Sequence, residues 1–252
     1  MDATQTENAK LIINSLEKFG VTNKYLQAGI LATVSKESNF KPQSENLNYS
    51  YENIKRVWPQ TSDADAKRLA HNPEALGNFK YGGKGGNAAN EGYKYRGRAF
   101  NQITFKSTYK KIGDMIGVDL VSNPDLLNDP KIAADALAAF FAPEFKAGIK
   151  AGSFAKFGVT DLDAVKDTTT ATKVAIQINA GRGTSFNNGV VQEGYNKALK
   201  TVDSLFALAN QGASFTDTTT FVKQHPIPVI LLFVGLAGLV YVGINYESIF
   251  KV

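Results

Sequence analysis

Apolar residues recur at spacings of three and four along much of the first 210 positions, a period typical of helices with one buried face. The first such helix carries Ala9, Ile12, Ile13 and Leu16 on its apolar face. A second helix begins after the N-cap residue Asn23, and further helices are predicted over 128–142, 168–178 and 191–208. No sustained alternation indicates a sheet, and the glycine-rich stretch 81–97 is expected to be irregular. The pattern predicts a mostly α domain with a loop-built cleft.

A different pattern marks the C-terminal end, where residues 227–246 contain no charged side chain. At 1.5 Å per residue, a helix of about 20 residues spans the roughly 30 Å of a bilayer's hydrocarbon core. The small polar residues 210–222 are typical of a tether. We therefore predict a folded domain over 1–209, a flexible linker over 210–222, and one C-terminal transmembrane helix with a short tail over 223–252. The alternative for residues 227–246 is a buried core helix. At the other end of the chain, the polar N-terminus predicts no export signal.

The amino-acid composition limits the catalytic groups and metal sites that the chain can form. The chain has no cysteine and two histidines, His71 and His225, which argues against thiolate zinc sites, cysteine nucleophiles and metal sites with several histidines. We expect no metal and no cofactor. The excess of 28 lysine and arginine residues over 23 aspartate and glutamate residues includes no long basic run, so no nucleic-acid partner is expected. Carboxylate chemistry remains, and glycosidases need nothing else.

Glu37 is the carboxylate that the helical period singles out. It follows Ile30 and Val34 at spacings of four and three, so it continues the apolar face of the second helix. Loss of hydration at the end of a buried face favours the protonated carboxyl that a general acid needs. The alternative is a helix-terminal glutamate that leans towards solvent.

Four strips, in order, carry a family resemblance. They are LATVSKESNFKP (31–42), ENLNYS (45–50), YKYRGRAFNQIT (93–104) and INAG (178–181). Together they resemble the family 19 glycoside hydrolases, in the branch of bacterial and phage chitinases and endolysins, over roughly residues 20 to 205. Four positions depart from that family's pattern: Lys36, Ser38 and Asn39 surround the acid where the family has His-Glu-Thr-Gly, and Ala99 replaces a glycine. The Glu-Ser-x-Phe strip that begins at Glu37 also resembles lytic transglycosylases of the lysozyme-like superfamily.

The resemblance implies a lysozyme-like α-rich fold and cleavage of β-1,4 links between N-acetylated amino sugars. By position, Glu37 is the general acid and Glu45 the base of an inverting reaction, whose two carboxyls lie about 6.5–9.5 Å apart. Glu91 is the alternative base. The expected substrate-binding residues are Tyr49, Tyr95, Arg98, Gln102, Thr104 and Asn179, with the two tyrosines chosen for the aromatic faces that they offer to sugar rings.

These features predict a muramidase or lytic transglycosylase that cleaves the glycan strands of peptidoglycan. Residues 227–246 are expected to anchor it in a lipid membrane, either the membrane of a phage virion or the host inner membrane. The alternatives are a chitinase and a catalytically inactive virion or membrane protein that keeps the lysozyme fold.

Overall fold

The computed structural model describes residues 2–161 and 164–180. Within these ranges the chain is helical and forms no strand, and the isolated antiparallel bridge joins Arg98 to Ile103. The α-helices are α1 (Ala3–Lys18), α2 (Lys24–Ser38), α3 (Tyr51–Val57), α4 (Asp63–Leu69), α5 (Pro73–Tyr81), α6 (Lys106–Ile116), α7 (Pro130–Lys150) and α8 (Thr168–Ala180), with short 3-10 helices at Pro124–Asn128 and Ala155–Phe157. The mostly α prediction is confirmed for the described residues.

The predicted helix 191–208, linker 210–222 and membrane anchor 227–246 lie outside the described residues. Among the residues that are described, no helix combines the length and the apolar character that a membrane span requires.

The described residues divide into two compact units, one formed by those within 1–36 and 144–252 and the other by residues 37–143. In the first unit, Asn23 caps α2 as predicted, because its side-chain oxygen accepts from the backbone N–H groups of Tyr25 and Leu26 at 3.0 and 3.1 Å. The Asn23 amide also donates to the Val165 carbonyl at 3.0 Å, which ties the start of α2 to the segment before α8. Asn23 thus both caps α2 and holds the segment before α8.

The second unit contains three short helices, α3, α4 and α5, each begun by a side-chain cap. The caps are Ser50, Ser62 and Asn72, which accept from the backbone N–H three residues later. Helices of this length are marginal alone, so packing must stabilise them. Their buried core consists of Leu47, Ile54, Ala66, Leu69 and Leu76, and it is flanked by half-buried tyrosines and Trp58.

The loop from α5 to α6 is irregular, as the glycine-rich sequence predicts, but side chains tie it down. The buried Asn87 amide donates to the Tyr81 carbonyl at 2.9 Å, and its oxygen accepts from the Lys106 N–H at 2.9 Å. Glu91 accepts from the Ala88 N–H and from the Lys106 ammonium, both at 2.9 Å. The loop therefore holds a defined path between the end of α5 and the start of α6.

Candidate active site

Glu37 is the penultimate residue of α2 and is half-buried. The apolar face that leads to it is buried as predicted, with Ile30 and Val34 almost fully removed from water. Directly after the helix, Asn39 and Phe40 adopt positive φ angles of 51° and 59°. This region is rarely populated by a bulky residue, and the Phe40 side chain, only 4% exposed, packs into the interior. The chain thus turns sharply just beyond the proposed acid.

Glu45 is held at both its backbone and its carboxylate. Its N–H donates to the Gly97 carbonyl at 2.8 Å, which joins the strip 45–50 to the strip 93–104. The Tyr81 hydroxyl lies 3.0 Å from each carboxylate oxygen, and the Lys80 ammonium lies 3.9 Å from Oε1. The Glu45 carboxylate is therefore surrounded by donors, with 22% of its side chain exposed.

The groups around Glu45 are perturbed by burial and by its charge. Burial, followed by the charge of Glu45, raises the pKa of Tyr81, so this phenol remains a proton donor at neutral pH. Burial lowers the pKa of Lys80, whereas the charge of Glu45 opposes that shift. The Lys80 ammonium also lies 3.9 Å from the centroid of the Trp58 ring, a cation–π distance.

The strip from Gly97 to Phe105 forms a tight reversal next to Glu45. Arg98 and Ile103 exchange two backbone hydrogen bonds, at 3.0 and 2.8 Å. Ala99 and Gln102, between them, have positive φ angles of 64° and 55°. Ala99 occupies the position where the resembled family has glycine, and its left-handed backbone gives the physical reason for that preference.

Gln102 reaches back from this reversal towards the Glu45 strip. Its amide donates to the Gln43 carbonyl at 3.3 Å. A side chain at Gly97 would come within 2.5 Å of the Gln102 amide oxygen, so the absence of a Cβ there lets the amide approach the backbone. Thr104 donates to the Gln102 carbonyl at 2.9 Å. Glu45, Gln102 and Thr104 are therefore brought into one neighbourhood.

Two of the predicted substrate-binding residues lie in the protein interior. Tyr95 is fully buried, and its hydroxyl donates to the Val121 carbonyl at 3.1 Å. Arg98 is 2% exposed and forms an ion pair with Asp125, with its Nη2 2.7 Å from the carboxylate. In this arrangement both residues support the strip from within. Direct contact with a sugar would require them to become exposed.

Tyr109 connects the arginines of this interior network. Its hydroxyl accepts from Arg98 at 2.9 Å and donates to the Arg96 carbonyl at 2.7 Å. Burial raises the pKa of Tyr109 to about 12, although the nearby charge of Arg98 opposes the shift. The phenol is thus a neutral link that satisfies a buried guanidinium.

The remaining predicted residues lie in different surroundings. Tyr49 is half-buried, with its ring 5.3 Å from the Trp58 ring in a tilted arrangement. Glu91 is bound by the Ala88 N–H and by Lys106, and these two contacts, in that order, lower its pKa. Asn179 belongs to α8 in the other compact unit, and its buried amide oxygen has no hydrogen-bond partner among the described residues.

Lys80 and Tyr81 were not predicted from the sequence. The Asn72–Pro73 pair is a typical helix start and could have predicted α5. No local pattern, however, shows that the end of this helix contacts a carboxylate some 36 positions earlier. No cluster of three or more histidine, aspartate or glutamate side chains suited to a metal ion occurs in the part of the chain that the structure describes.

Comparisons with known proteins support the resemblance to family 19. Residues 74–147 match the family model of class I chitinases, glycoside hydrolase family 19. The chain is 35% identical over 111 residues to a glycosyl hydrolase family 19 domain-containing protein of Haemophilus influenzae. This alignment covers 42% of the chain and 56% of that relative, so the chain spans little more than half of the relative's length. The matched segment 74–147 includes Lys80 and Tyr81, whereas Glu37 and Glu45 precede it.

Proposed function

We propose that the chain is a glycoside hydrolase that cleaves β-1,4 links in the glycan strands of peptidoglycan. The observation that carries this proposal is the Glu45 carboxylate, which Tyr81 and Lys80 contact from within the segment that matches the chitinase family. Similarity to family 19 supports the reaction class, and the two predicted carboxylates supply the groups that the class requires.

The proposed reaction inverts the configuration of the anomeric carbon. Glu37 donates its proton to the glycosidic oxygen as the bond to the anomeric carbon breaks. Glu45 accepts a proton from the water that attacks the opposite face of the sugar, so one proton leaves Glu37 and another arrives at Glu45. Glu37 lies half-buried at the C-terminal end of α2, directly before the sharp turn at Asn39 and Phe40.

Substitution of each carboxylate tests this assignment. We expect Glu37→Gln and Glu45→Gln to abolish the release of fragments from purified peptidoglycan, whereas Glu91→Gln should retain activity. Circular dichroism would verify that each variant is folded. Full activity of Glu37→Gln would remove Glu37 from the role of acid, and loss of activity only in Glu91→Gln would transfer the role of base to Glu91.

A lytic transglycosylase is the second candidate, favoured by the Glu37-Ser38-Asn39-Phe40 strip and its sharp turn. Such an enzyme closes the muramyl ring with one glutamate and without water, so it would not need Glu45. Mass spectrometry of the muropeptides distinguishes the two: a hydrolase run in ¹⁸O-water incorporates the label at reducing ends, and a transglycosylase leaves unlabelled anhydro-muramyl ends. Cleavage of chitin oligomers alone would indicate a chitinase, and no product from either substrate would indicate an inactive fold.

We also propose that residues 227–246 anchor the chain in a lipid membrane, since this stretch has the length and apolar character of a span. The membrane would be that of a phage virion or the host inner membrane. Carbonate extraction of membranes and of purified particles tests both. Recovery of the full chain in the carbonate-soluble fraction would contradict the anchor, and absence from particles would contradict the virion.

A further inference from the structure

We propose that Tyr81 and Lys80 are positioning residues for Glu45, which orient its carboxylate so that it can accept a proton from water. This inference rests on the proposed function, because it concerns the group assigned there as the base. It adds two residues to the site, both on the last turn of α5.

Tyr81 contacts the carboxylate symmetrically. Its hydroxyl is 3.0 Å from both Oε1 and Oε2 of Glu45, so one phenolic proton is shared between the two oxygens. The Tyr81 ring packs edge-on against the Phe105 ring, with centroids 5.7 Å apart. The Glu45 backbone bond to Gly97 fixes the main chain, and the Tyr81 hydroxyl holds the carboxylate.

Lys80 directs the phenolic proton and adds charge. Its ammonium donates to the Tyr81 hydroxyl at 3.3 Å and lies 3.9 Å from Glu45 Oε1. Because the hydroxyl accepts from Lys80, its single proton points towards Glu45, and the chain of hydrogen bonds is polarised in one direction. The Trp58 ring below the ammonium holds it in place and leaves 20% of the lysine side chain exposed.

A base works only when a carboxylate oxygen is directed at the attacking water, and the contacts from α5 hold Glu45 in one orientation. Tyr81 and Lys80 both contact its carboxylate from this helix. Tyr49 and Lys84 lie near enough to affect Tyr81 and Lys80 electrostatically. Loss of the phenolic donor or of the ammonium should therefore let the carboxylate rotate, and turnover should fall while substrate binding is retained.

The test is the steady-state kinetics of Tyr81→Phe in the full chain, purified in detergent and assayed on soluble glycan fragments. Phenylalanine keeps the ring packing and removes the hydroxyl, which is both the donor to Glu45 and the acceptor for Lys80. Since a hydrogen bond to a charged group is worth about 10- to 100-fold in an equilibrium, kcat should fall by about that factor while KM stays within about twofold. Lys80→Met should lower kcat by a smaller factor, and Lys80→Arg should restore it.

Tyr51→Phe is the matched control. Tyr51 packs against the same apolar core, and its hydroxyl is hydrogen-bonded to another carboxylate, Asp63. This variant should leave kcat and KM unchanged. An equal loss of kcat in both tyrosine variants, or a loss in Tyr81→Phe that appears in KM and not in kcat, would overturn the inference. An unchanged Tyr81→Phe beside an inactive Glu45→Gln would overturn it while leaving the proposed function intact. Activity retained by Glu45→Gln would instead reject Glu45 as the base, and the inference with it.

Discussion

Replacement of Asp125 by asparagine tests whether an exposed carboxylate stabilises a buried cation. Asp125 exposes 75% of its side chain, whereas its partner Arg98 exposes 2%. Two nitrogens of the Arg98 guanidinium contact the Asp125 carboxylate, at 2.9 and 2.7 Å. Because the Asp125 side chain is exposed, its nearly isosteric replacement by asparagine would by itself be expected to cost little stability. The burial of Arg98 reverses this expectation, because Asp125 is the counter-ion of a group that water scarcely reaches.

The expected cost lies between two limits. Loss of one partner from a fully buried ion pair costs about 3–5 kcal/mol, and an exposed pair contributes about 0–1 kcal/mol. Arg98 keeps its bonds to the Lys94 carbonyl and the Tyr109 hydroxyl, at 2.8 and 2.9 Å, and water can approach position 125. A second cation adds to the cost, since burial and then the charge of Arg98 lower the pKa of Arg96. We expect the free energy of unfolding to fall by about 2 kcal/mol.

Urea denaturation measures this difference. With a slope of about 2 kcal/mol per molar, the midpoint of Asp125→Asn should fall by about 1 M. Asp114→Asn is the control, because the Lys110–Asp114 pair has a similar distance of 2.8 Å but exposes 67% and 64% of its side chains. Its stability should change by less than about 0.5 kcal/mol. Equal midpoints for the two variants would refute the reasoning, since they would show that burial of the cation has no effect.

Three further predictions concern other parts of the chain. Glu91→Gln should weaken the loss of stability in acid. The lowered pKa of Glu91 stabilises the fold above its ordinary value of 4.5, and this contribution disappears as the pH falls through the lowered pKa. Urea midpoints measured from about pH 3 to 7 test this, and the same dependence of the midpoint on pH as in the wild type would contradict it. Gly77→Ala places a Cβ 2.8 Å from the Tyr93 Cα, so calorimetry should show a loss of about 1–3 kcal/mol, and a wild-type melting temperature would contradict this contact. Truncation after Thr220 should yield a soluble, active domain, whereas an insoluble product would favour the buried C-terminal helix over the anchor.

The helices that could be predicted are those whose apolar faces repeat over several turns. The predicted helix over 168–178 agrees closely with α8, and Asn23 begins α2 as expected. The helix predicted over 128–142 corresponds to α7, which continues through Pro143 to Lys150 in the structure. Helices α3, α4 and α5 contain only seven to nine residues, too few for a clear period, and tertiary packing stabilises them.

For the candidate site, the local sequence singled out the candidate carboxylates Glu37 and Glu45 but did not indicate what surrounds them. The spacing from Ile30 through Val34 to Glu37 places the proposed acid at the end of a buried helix face, and the structure has it there, half-buried. The burial of Tyr95 and Arg98 could not be read from their strip, because a tyrosine or arginine in a glycine-rich segment has no period to indicate which way it faces.

The sequence alone determined what depends on neighbours along the chain: the helical period, the N-cap at Asn23 and the family strips. The tertiary structure decided which distant groups meet, including the contact of Tyr81 with Glu45 and the pairing of Arg98 with Asp125. The physical reason is that a hydrogen bond or an ion pair acts over about 3–4 Å in space, whatever the separation in sequence. Such contacts exist only after helices and loops have packed, and the contact of Tyr81 lies at the proposed base.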